Sequence, residues 1–254
     1  MNEKSLMETI LDTSARVGSI LVPAASLESY LGTYASLLTV WTHDDVYRVR
    51  VLGSAVGVMR SGVPILICSG HQIRDVELSD VGLLFPDGSN LVTSSGSRTF
   101  VEGEHTQLSD AYDVAAFDFS GAASAHPMLT RNFFKFDEVP PDTPNLKILA
   151  FIVAGYPSAD QKYELEEKNH LGMVRRVMVA EPDSQPSDPA LLKLKFFQEL
   201  DFDPDGLSGG PVFVVQIVNG EPRAFLAGVT LRAGRTHCYI LKSGFLWEFL
   251  SSFV

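Results

Sequence analysis

The sequence has few cysteines and no long apolar run. Only two of its 254 residues are cysteine, too few for the disulfide framework that stabilises small secreted domains. No stretch approaches the roughly 18 consecutive apolar residues that a membrane-spanning helix needs. Charged residues interrupt the N-terminal segment, unlike a secretory signal, at Glu3, Lys4, Glu8, Asp12 and Arg16. These absences predict a cytoplasmic protein with no membrane partner.

Basic residues are also scarce. The chain has 20 Lys and Arg against 31 Asp and Glu, which gives a formal net charge of −11. A protein that binds nucleic acid needs a basic face to neutralise phosphates, so we expect no nucleic-acid partner. The histidines show no metal-ligand spacing with cysteines or carboxylates. We therefore expect no metal site.

Short apolar segments separated by turn residues dominate the chain. Twenty glycines and 14 prolines divide the sequence from about Tyr34 onward into runs that are typical of short strands. Many short strands favour a sandwich or barrels. Helical spacing of apolar residues predicts a short helix over residues 5–17, and residues 244–253 predict a terminal helix. A proline-rich stretch without apolar periodicity predicts a linker at 131–146 between two β-rich halves.

A serine between glycines is the strongest local motif. The segment Gly206-Leu207-Ser208-Gly209-Gly210 directly precedes an apolar strand. A glycine at 206 permits unusual backbone angles, so the N–H groups of Gly206 and Ser208 can point at one spot and stabilise a developing oxyanion. A tight turn with a capping serine explains the same motif about equally well. The motif alone therefore leaves both possibilities open.

Two further residues supply what a serine nucleophile needs. Serine requires an adjacent base, and that base requires an orienting group. His71 follows an apolar strand through the small residues Ser69 and Gly70, and Asp113 opens another strand. A carboxylate at 113 would hold one imidazole nitrogen as a donor and leave the other free to accept the serine proton.

At this point the sequence resembles the chymotrypsin-like (trypsin-like) serine peptidases, as a bacterial-type intracellular member. The likeness covers about residues 34–253, and its segments occur in the order of that family: Gly53 to Val58, Pro64 to His71, Asp113 to Ala115, Gly206 to Pro211 and Ala227 to Thr230.

The resemblance implies an all-β fold of two packed antiparallel six-stranded β-barrels, with short N-terminal and C-terminal helices. The domains would be an N-terminal helical extension (1–33), the N-terminal barrel (34–130), the linker (131–146) and the C-terminal barrel with its helix (147–254). His71 would be the base, Asp113 the orienting acid and Ser208 the nucleophile, with Gly206 and Ser208 forming the oxyanion hole.

The function this implies is a serine endopeptidase that cleaves a protein or peptide substrate through an acyl-enzyme. No metal or organic cofactor is needed, and a regulatory protein partner is plausible for a protease inside a cell. Two alternatives stay open: a non-catalytic interaction module with the same fold, and a hydrolase of small esters. Degenerate relatives often lose the serine or histidine, and this chain keeps all three residues, which favours catalysis.

Two departures from the family matter. Leu207 stands where secreted relatives have an Asp that pairs with a new N-terminus after zymogen cleavage, so we expect no such activation. Gln72 stands where those relatives have a half-cystine next to the histidine. Cys68 and Cys238 fall in separate predicted barrels, and we expect both to be buried free thiols.

The resemblance also assigns substrate-binding residues. Phe202 would lie at the pocket floor, and Thr230, Leu231 and Arg232 would form the wall. A phenylalanine at the floor argues against a preference for Lys or Arg, which wants an acid there. The neighbouring residues Asp203 and Asp205 would still attract a basic group.

Overall fold

The computed structural model describes residues 14–85, 88, 90–99, 113–142, 147–164 and 170–253. Within these residues the regular structure is mainly β-strand, with three short α-helices and several 3-10 turns. None of the described helices has the length and apolar content to cross a membrane.

The described chain begins with a β-hairpin rather than a helix. Strand β1 (Ser14–Val17) pairs antiparallel with β2 (Ile20–Pro23) and parallel with residues 223–224 of a late strand. The helix predicted over 5–17 is therefore wrong for residues 14–17, and its first nine residues lie outside the described residues. Pairing with a distant strand overrides local helical spacing here, because burial of Ala15 and Val17 on one face needs the strand period of two.

The first half of the chain forms a curved antiparallel sheet. Its order is β7-β6-β3-β4-β5-β9-β8, and β10 adds to β4 in parallel. The sheet folds around its own apolar core, which includes Leu66, Cys68 and Phe117. Its strands are β3 (Ala35–Trp41), β4 (Val49–Arg60), β5 (Val63–Ser69), β6 (Val81–Leu84), β7 (Leu91–Thr93), β8 (Gly96–Thr99), β9 (Val114–Asp118) and β10 (Phe134–Lys135).

The second half forms a closed six-stranded antiparallel barrel. The order is β16-β11-β14-β15-β18-β17, and pairing of β16 with β17 closes it. A separate hairpin, β12 with β13, projects from this half. The strands are β11 (Lys147–Gly155), β12 (Lys162–Glu164), β13 (His170–Gly172), β14 (Arg176–Pro182), β15 (Leu191–Phe196), β16 (Pro211–Val218), β17 (Glu221–Ala233) and β18 (His237–Lys242).

A third apolar cluster joins the two halves. It contains Val56 and Ile65 from the first sheet, Phe213 and Val229 from the second, and Leu31 from the N-terminal extension. The all-β prediction of a two-barrel chymotrypsin-like fold is confirmed. The interface between the halves is thus a true core rather than a hinged contact.

The helices lie at the ends of the chain and on the first sheet. Helix α1 (Ala24–Gly32) packs in the interface cluster, α2 (Ser120–Ala125) follows β9, and α3 (Ser243–Phe249) closes the chain. The predicted C-terminal helix is confirmed. The N-terminal extension does contain a helix, but it lies after the hairpin.

The first part of the segment predicted as a linker packs against the first sheet. Within 131–146, strand β10 pairs with β4, and the Phe136 N–H donates to the Met59 carbonyl at 2.9 Å. Phe133 and Phe136 are buried. Residues 143–146 lie outside the described residues. The first part of the predicted linker is therefore fixed to the first sheet by apolar burial. The prolines nearby are typical of a linker, so the sequence pattern does not predict this packing.

Both cysteines are free and buried, as predicted. Cys68 lies in the core of the first sheet and Cys238 in the core of the barrel. Burial raises the pKa of Cys238 to about 12. The pKa of Cys68 is raised by burial and, to a smaller extent, by the negative charge of Asp113.

Candidate active site

His71 sits on a 3-10 turn, Gly70–Ile73, that directly follows β5. The small residue Gly70 brings this turn close to Asp113, because a Cβ at 70 would lie 3.0 Å from a carboxylate oxygen of Asp113. The imidazole is about one third exposed. It therefore stands at the end of a buried strand where solvent and a substrate can reach it.

Asp113 holds His71 with both carboxylate oxygens. Its Oδ1 accepts the His71 backbone N–H at 2.7 Å, and its Oδ2 lies 2.5 Å from His71 Nδ1. A carboxylate only accepts hydrogen bonds, so Nδ1 carries the proton and Nε2 is left as the acceptor. Pairing of β5 with β9 places the two residues side by side, since Ser69 is opposite Val114.

Ser208 lies on a tight loop, residues 204–210, which we call the nucleophile loop. Gly206 and Gly209 adopt φ values of +91° and +81°, which favour glycine. A Cβ at 209 would also collide with the Ser54 carbonyl. The glycines are thus required by the backbone path. The bare capping-turn explanation does not fit, because the Ser208 hydroxyl donates to Leu231 and not to its own loop.

The two expected oxyanion donors have no hydrogen-bond acceptor within the described part of the chain. Among the described residues, the N–H groups of Gly206 and Ser208 make no hydrogen bond. The carbonyl of Asp205 accepts from the Ser158 N–H at 2.7 Å, and that of Leu207 from the Gly210 N–H at 3.0 Å. In a trans peptide the N–H points away from its carbonyl, so both donors point away from these internal bonds.

The turn that carries His71 contacts the loop that carries Ser208, but the described residues show no hydrogen bond between these two side chains. The Ser208 hydroxyl donates to the Leu231 carbonyl at 2.9 Å, and the described residues show no hydrogen bond from it to the His71 ring. Gln72, the residue after His71, donates to the Ser208 carbonyl at 2.9 Å. Catalytic hydrogen bonds often form only with substrate bound.

The predicted pocket residues have different surroundings. Thr230 has no exposed surface and Leu231 almost none, while Arg232 is exposed and its guanidinium lies 4.4 Å from the Tyr239 ring centre. Phe202 is half-buried beneath the guanidinium of Arg176, at 5.1 Å. Of the predicted wall only Arg232 is open to solvent. The four substrate-binding assignments stay predictions.

Three residues around the loop escaped the sequence interpretation. Ser54, Gln72 and Ser158 all bond to carbonyls of the nucleophile loop or of Ser208 itself. Of the three, only Gln72 is noticeable in the sequence, because it stands where secreted relatives have a half-cystine. Within the described part of the chain, no group of three or more His, Cys, Asp or Glu side chains is placed to hold a metal ion.

Comparisons with known proteins do not identify a family for this chain. No protein-family model matches the sequence, and no curated protein matches it. Among solved structures, the VesB protease of Vibrio cholerae is similar with a TM-score of 0.49 and 10% sequence identity. The match covers 86% of this chain and 63% of that chain, so the present chain spans less than two thirds of the protease. Any function assigned here rests on the residues of this chain.

Proposed function

We propose that this chain is a serine endopeptidase in which Ser208 is the nucleophile, His71 the general base and Asp113 the residue that orients it. The observation that carries the proposal is the contact of both Asp113 oxygens with His71, at 2.5 and 2.7 Å. A structural histidine needs no such carboxylate contact at both its backbone N–H and its partly exposed ring. A base needs it, because only one tautomer leaves Nε2 free.

In the proposed reaction, His71 Nε2 takes the Ser208 hydroxyl proton as Oγ attacks the substrate carbonyl carbon. The negative charge that develops on the carbonyl oxygen is stabilised by the N–H groups of Gly206 and Ser208. The imidazolium then gives the proton to the leaving amine as the C–N bond breaks. Water repeats the sequence on the acyl-enzyme and releases Ser208.

The proposed enzyme assembles without a cleavage event. Leu207 is fully buried in the core of the second barrel, where its side chain anchors the nucleophile loop. Secreted relatives use a charged residue at this place that pairs with a new N-terminus, whereas an apolar anchor needs no such partner. We infer that the loop adopts its working shape as the chain folds. A cytoplasmic location and a regulatory partner stay predictions.

Active-site labelling tests the proposal. A fluorophosphonate probe should phosphonylate wild-type protein with release of fluoride, and Ser208→Ala should not be labelled. Ser187→Ala, which changes an exposed serine in another loop, should be labelled like wild type. Failure of folded wild type to react would overturn the proposal. If wild type is labelled, fresh unlabelled protein is then offered peptides and short-chain esters, and turnover of esters alone would favour the ester hydrolase.

One observation favours a second candidate, a non-catalytic interaction module. The Ser208 hydroxyl is bonded to the Leu231 carbonyl instead of His71. If this arrangement persists with a peptide in the cleft, the protein would bind peptides without cleaving them. Peptide binding by a wild-type protein that neither labels nor hydrolyses would establish that function.

A further inference from the structure

We propose that Gln72 is a positioning residue that, together with Ser54, fixes the nucleophile loop against the turn that carries His71. The inference rests on the proposed serine-peptidase function. Ser54 lies on β4 and Gln72 on the turn after β5, both in the first half, whereas the loop belongs to the second barrel. They would set the distance between base and nucleophile in a chain that has no disulfide among its described residues.

Both the oxygen and the nitrogen of the Gln72 amide make hydrogen bonds, and the orientation of the amide suits this role. Its Oε1 accepts the Ser69 N–H at 3.0 Å, and its Nε2 donates to the Ser208 carbonyl at 2.9 Å and the Ser54 carbonyl at 3.3 Å. A flipped amide would place its oxygen against two carbonyl oxygens. The amide therefore links the turn that carries the base directly to the main chain of the nucleophile.

Ser54 provides a second link to the same loop. Its hydroxyl donates to the Gly206 carbonyl at 2.6 Å and accepts the Tyr156 N–H at 2.8 Å, and the residue is fully buried. Two carbonyls of the nucleophile loop are thus held by side chains of the opposite half. A buried carbonyl that loses its donor has no ready replacement, so the loop would shift.

The hydrogen bonds from Gln72 and Ser54 to the loop lie in closely packed surroundings. A Cβ at Gly53 would lie 2.7 Å from Gln72 Nε2 and 3.2 Å from the Gly206 Cα, and one at Gly209 would lie 2.7 Å from Gln72 Oε1. Close packing transmits a displacement of the amide to the loop. A misplacement of about 1 Å can reduce a catalytic rate about 100-fold. Gln72 is expected to act on rate rather than on binding.

The test compares Gln72→Met and Gln72→Glu with a matched control. Gln72→Glu keeps the acceptor for the Ser69 N–H but loses both donors. Gln216→Met is the control, because the buried Gln216 amide likewise donates to a carbonyl, that of Pro141 at 3.3 Å, away from the site. Fluorophosphonate labelling is followed over a range of probe concentrations, which separates the maximal labelling rate from apparent probe affinity.

We expect both Gln72 variants to show a maximal labelling rate lower by about 10- to 100-fold, with probe affinity unchanged. Gln216→Met should label within about threefold of wild type at a similar loss of melting temperature. Labelling of the Gln72 variants at the rate of Gln216→Met would overturn the inference and leave the proposed function intact. A folded wild type that does not label overturns both.

A second pair of variants decides the matter if Gln72→Met does not fold. Ser54→Ala removes the hydroxyl bond to the Gly206 carbonyl. Thr39→Val removes a bond of the same kind, from the fully buried Thr39 hydroxyl to the Gly82 carbonyl, which does not involve the loop. Only Ser54→Ala should slow labelling per folded molecule, and equal labelling of the two variants would contradict the role given to the interface.

Discussion

The two halves of the candidate site are held in different ways. His71 and Asp113 come from neighbouring strands of one sheet and contact each other directly. Ser208 depends on groups from both halves, since Gln72, Ser54 and Ser158 all hold its loop. The contact of the proposed base with Asp113 therefore lies within the first half, whereas the loop that carries Ser208 requires the two halves to be docked. Variants can separate these dependencies.

The largest effect is expected from loss of the base itself. His71→Ala should lower turnover about 10⁶-fold, because triad members act as a unit. The ring is partly exposed, so the melting temperature should stay close to that of wild type. The measurement is hydrolysis of a peptide found by library profiling, and residual activity within tenfold of wild type would contradict the assignment.

Asp113→Asn should lower turnover about 10⁴-fold, because an amide at 113 favours the wrong imidazole tautomer. The double variant with His71→Ala should be no worse than His71→Ala alone, since both changes disable the same unit. Additive losses in this cycle would show that Asp113 does not act through His71.

Loss of the docking contact from Arg60 should destabilise the whole fold. Its guanidinium donates to the Trp247 carbonyl and, at 3.3 Å, to the Ser251 hydroxyl, and it lies 4.1 Å from the Trp247 ring centre. Arg60→Met should reduce the free energy of unfolding by about 2–3 kcal/mol. Arg223→Met, at a partly exposed ion pair with Glu138, should cost about 1 kcal/mol or less.

Chemical denaturation measures both changes. An Arg60→Met protein as stable as Arg223→Met would show that the terminal helix does not join the halves. The contact between His71 and Asp113 lies within one sheet, so labelling per folded molecule should fall less in Arg60→Met than in Gln72→Met. The reverse order would contradict the separation between base and loop.

The smallest effect concerns the buried thiols and alkaline pH. Burial raises the pKa of Cys238 to about 12, whereas an unfolded cysteine titrates near 8.5. Below that pH both states hold the proton and no stability is lost. As pH rises above about 8.5 the unfolded state releases the proton first, so stability should fall by about 1.4 kcal/mol per pH unit.

Cys238→Ala provides the comparison, with denaturation followed from pH 8 to 10. The variant is less stable throughout because it leaves a cavity, but its decline with pH should be shallower than that of wild type. Parallel curves would show that the thiol does not titrate on unfolding. The native thiol should also react slowly with maleimide at neutral pH.

How far the sequence predicts this molecule depends on how local each feature is. His71, Asp113 and the glycines around Ser208 stand in short segments whose chemistry is visible from a few neighbours. Gln72 and Ser208 are 136 positions apart in sequence, and Ser54 and Gly206 are 152. An amide bond to a distant carbonyl leaves no periodic pattern, so these links appear only in three dimensions.

The fold shows the same division. Short alternating runs predict the strands, and an apolar ending predicts α3. The strand Ser14–Val17 was wrongly predicted as helix because its partner lies near the other end of the chain. The start of the linker was missed for the same reason, since Phe133 and Phe136 gain their burial only from the first sheet.

The parallel pairing of β1 with β17 has a consequence for synthesis of the chain. Arg16 and its ion-pair partner Glu221 are 205 positions apart, so on the ribosome β1 can pair with β2 early but with β17 only after residues 223–224 have emerged. Domains tend to fold as they are completed, and no strand of the first sheet pairs with β17. The core between the halves must therefore form after the first sheet, which leaves a nascent chain without the assembled candidate site until β17 has been made.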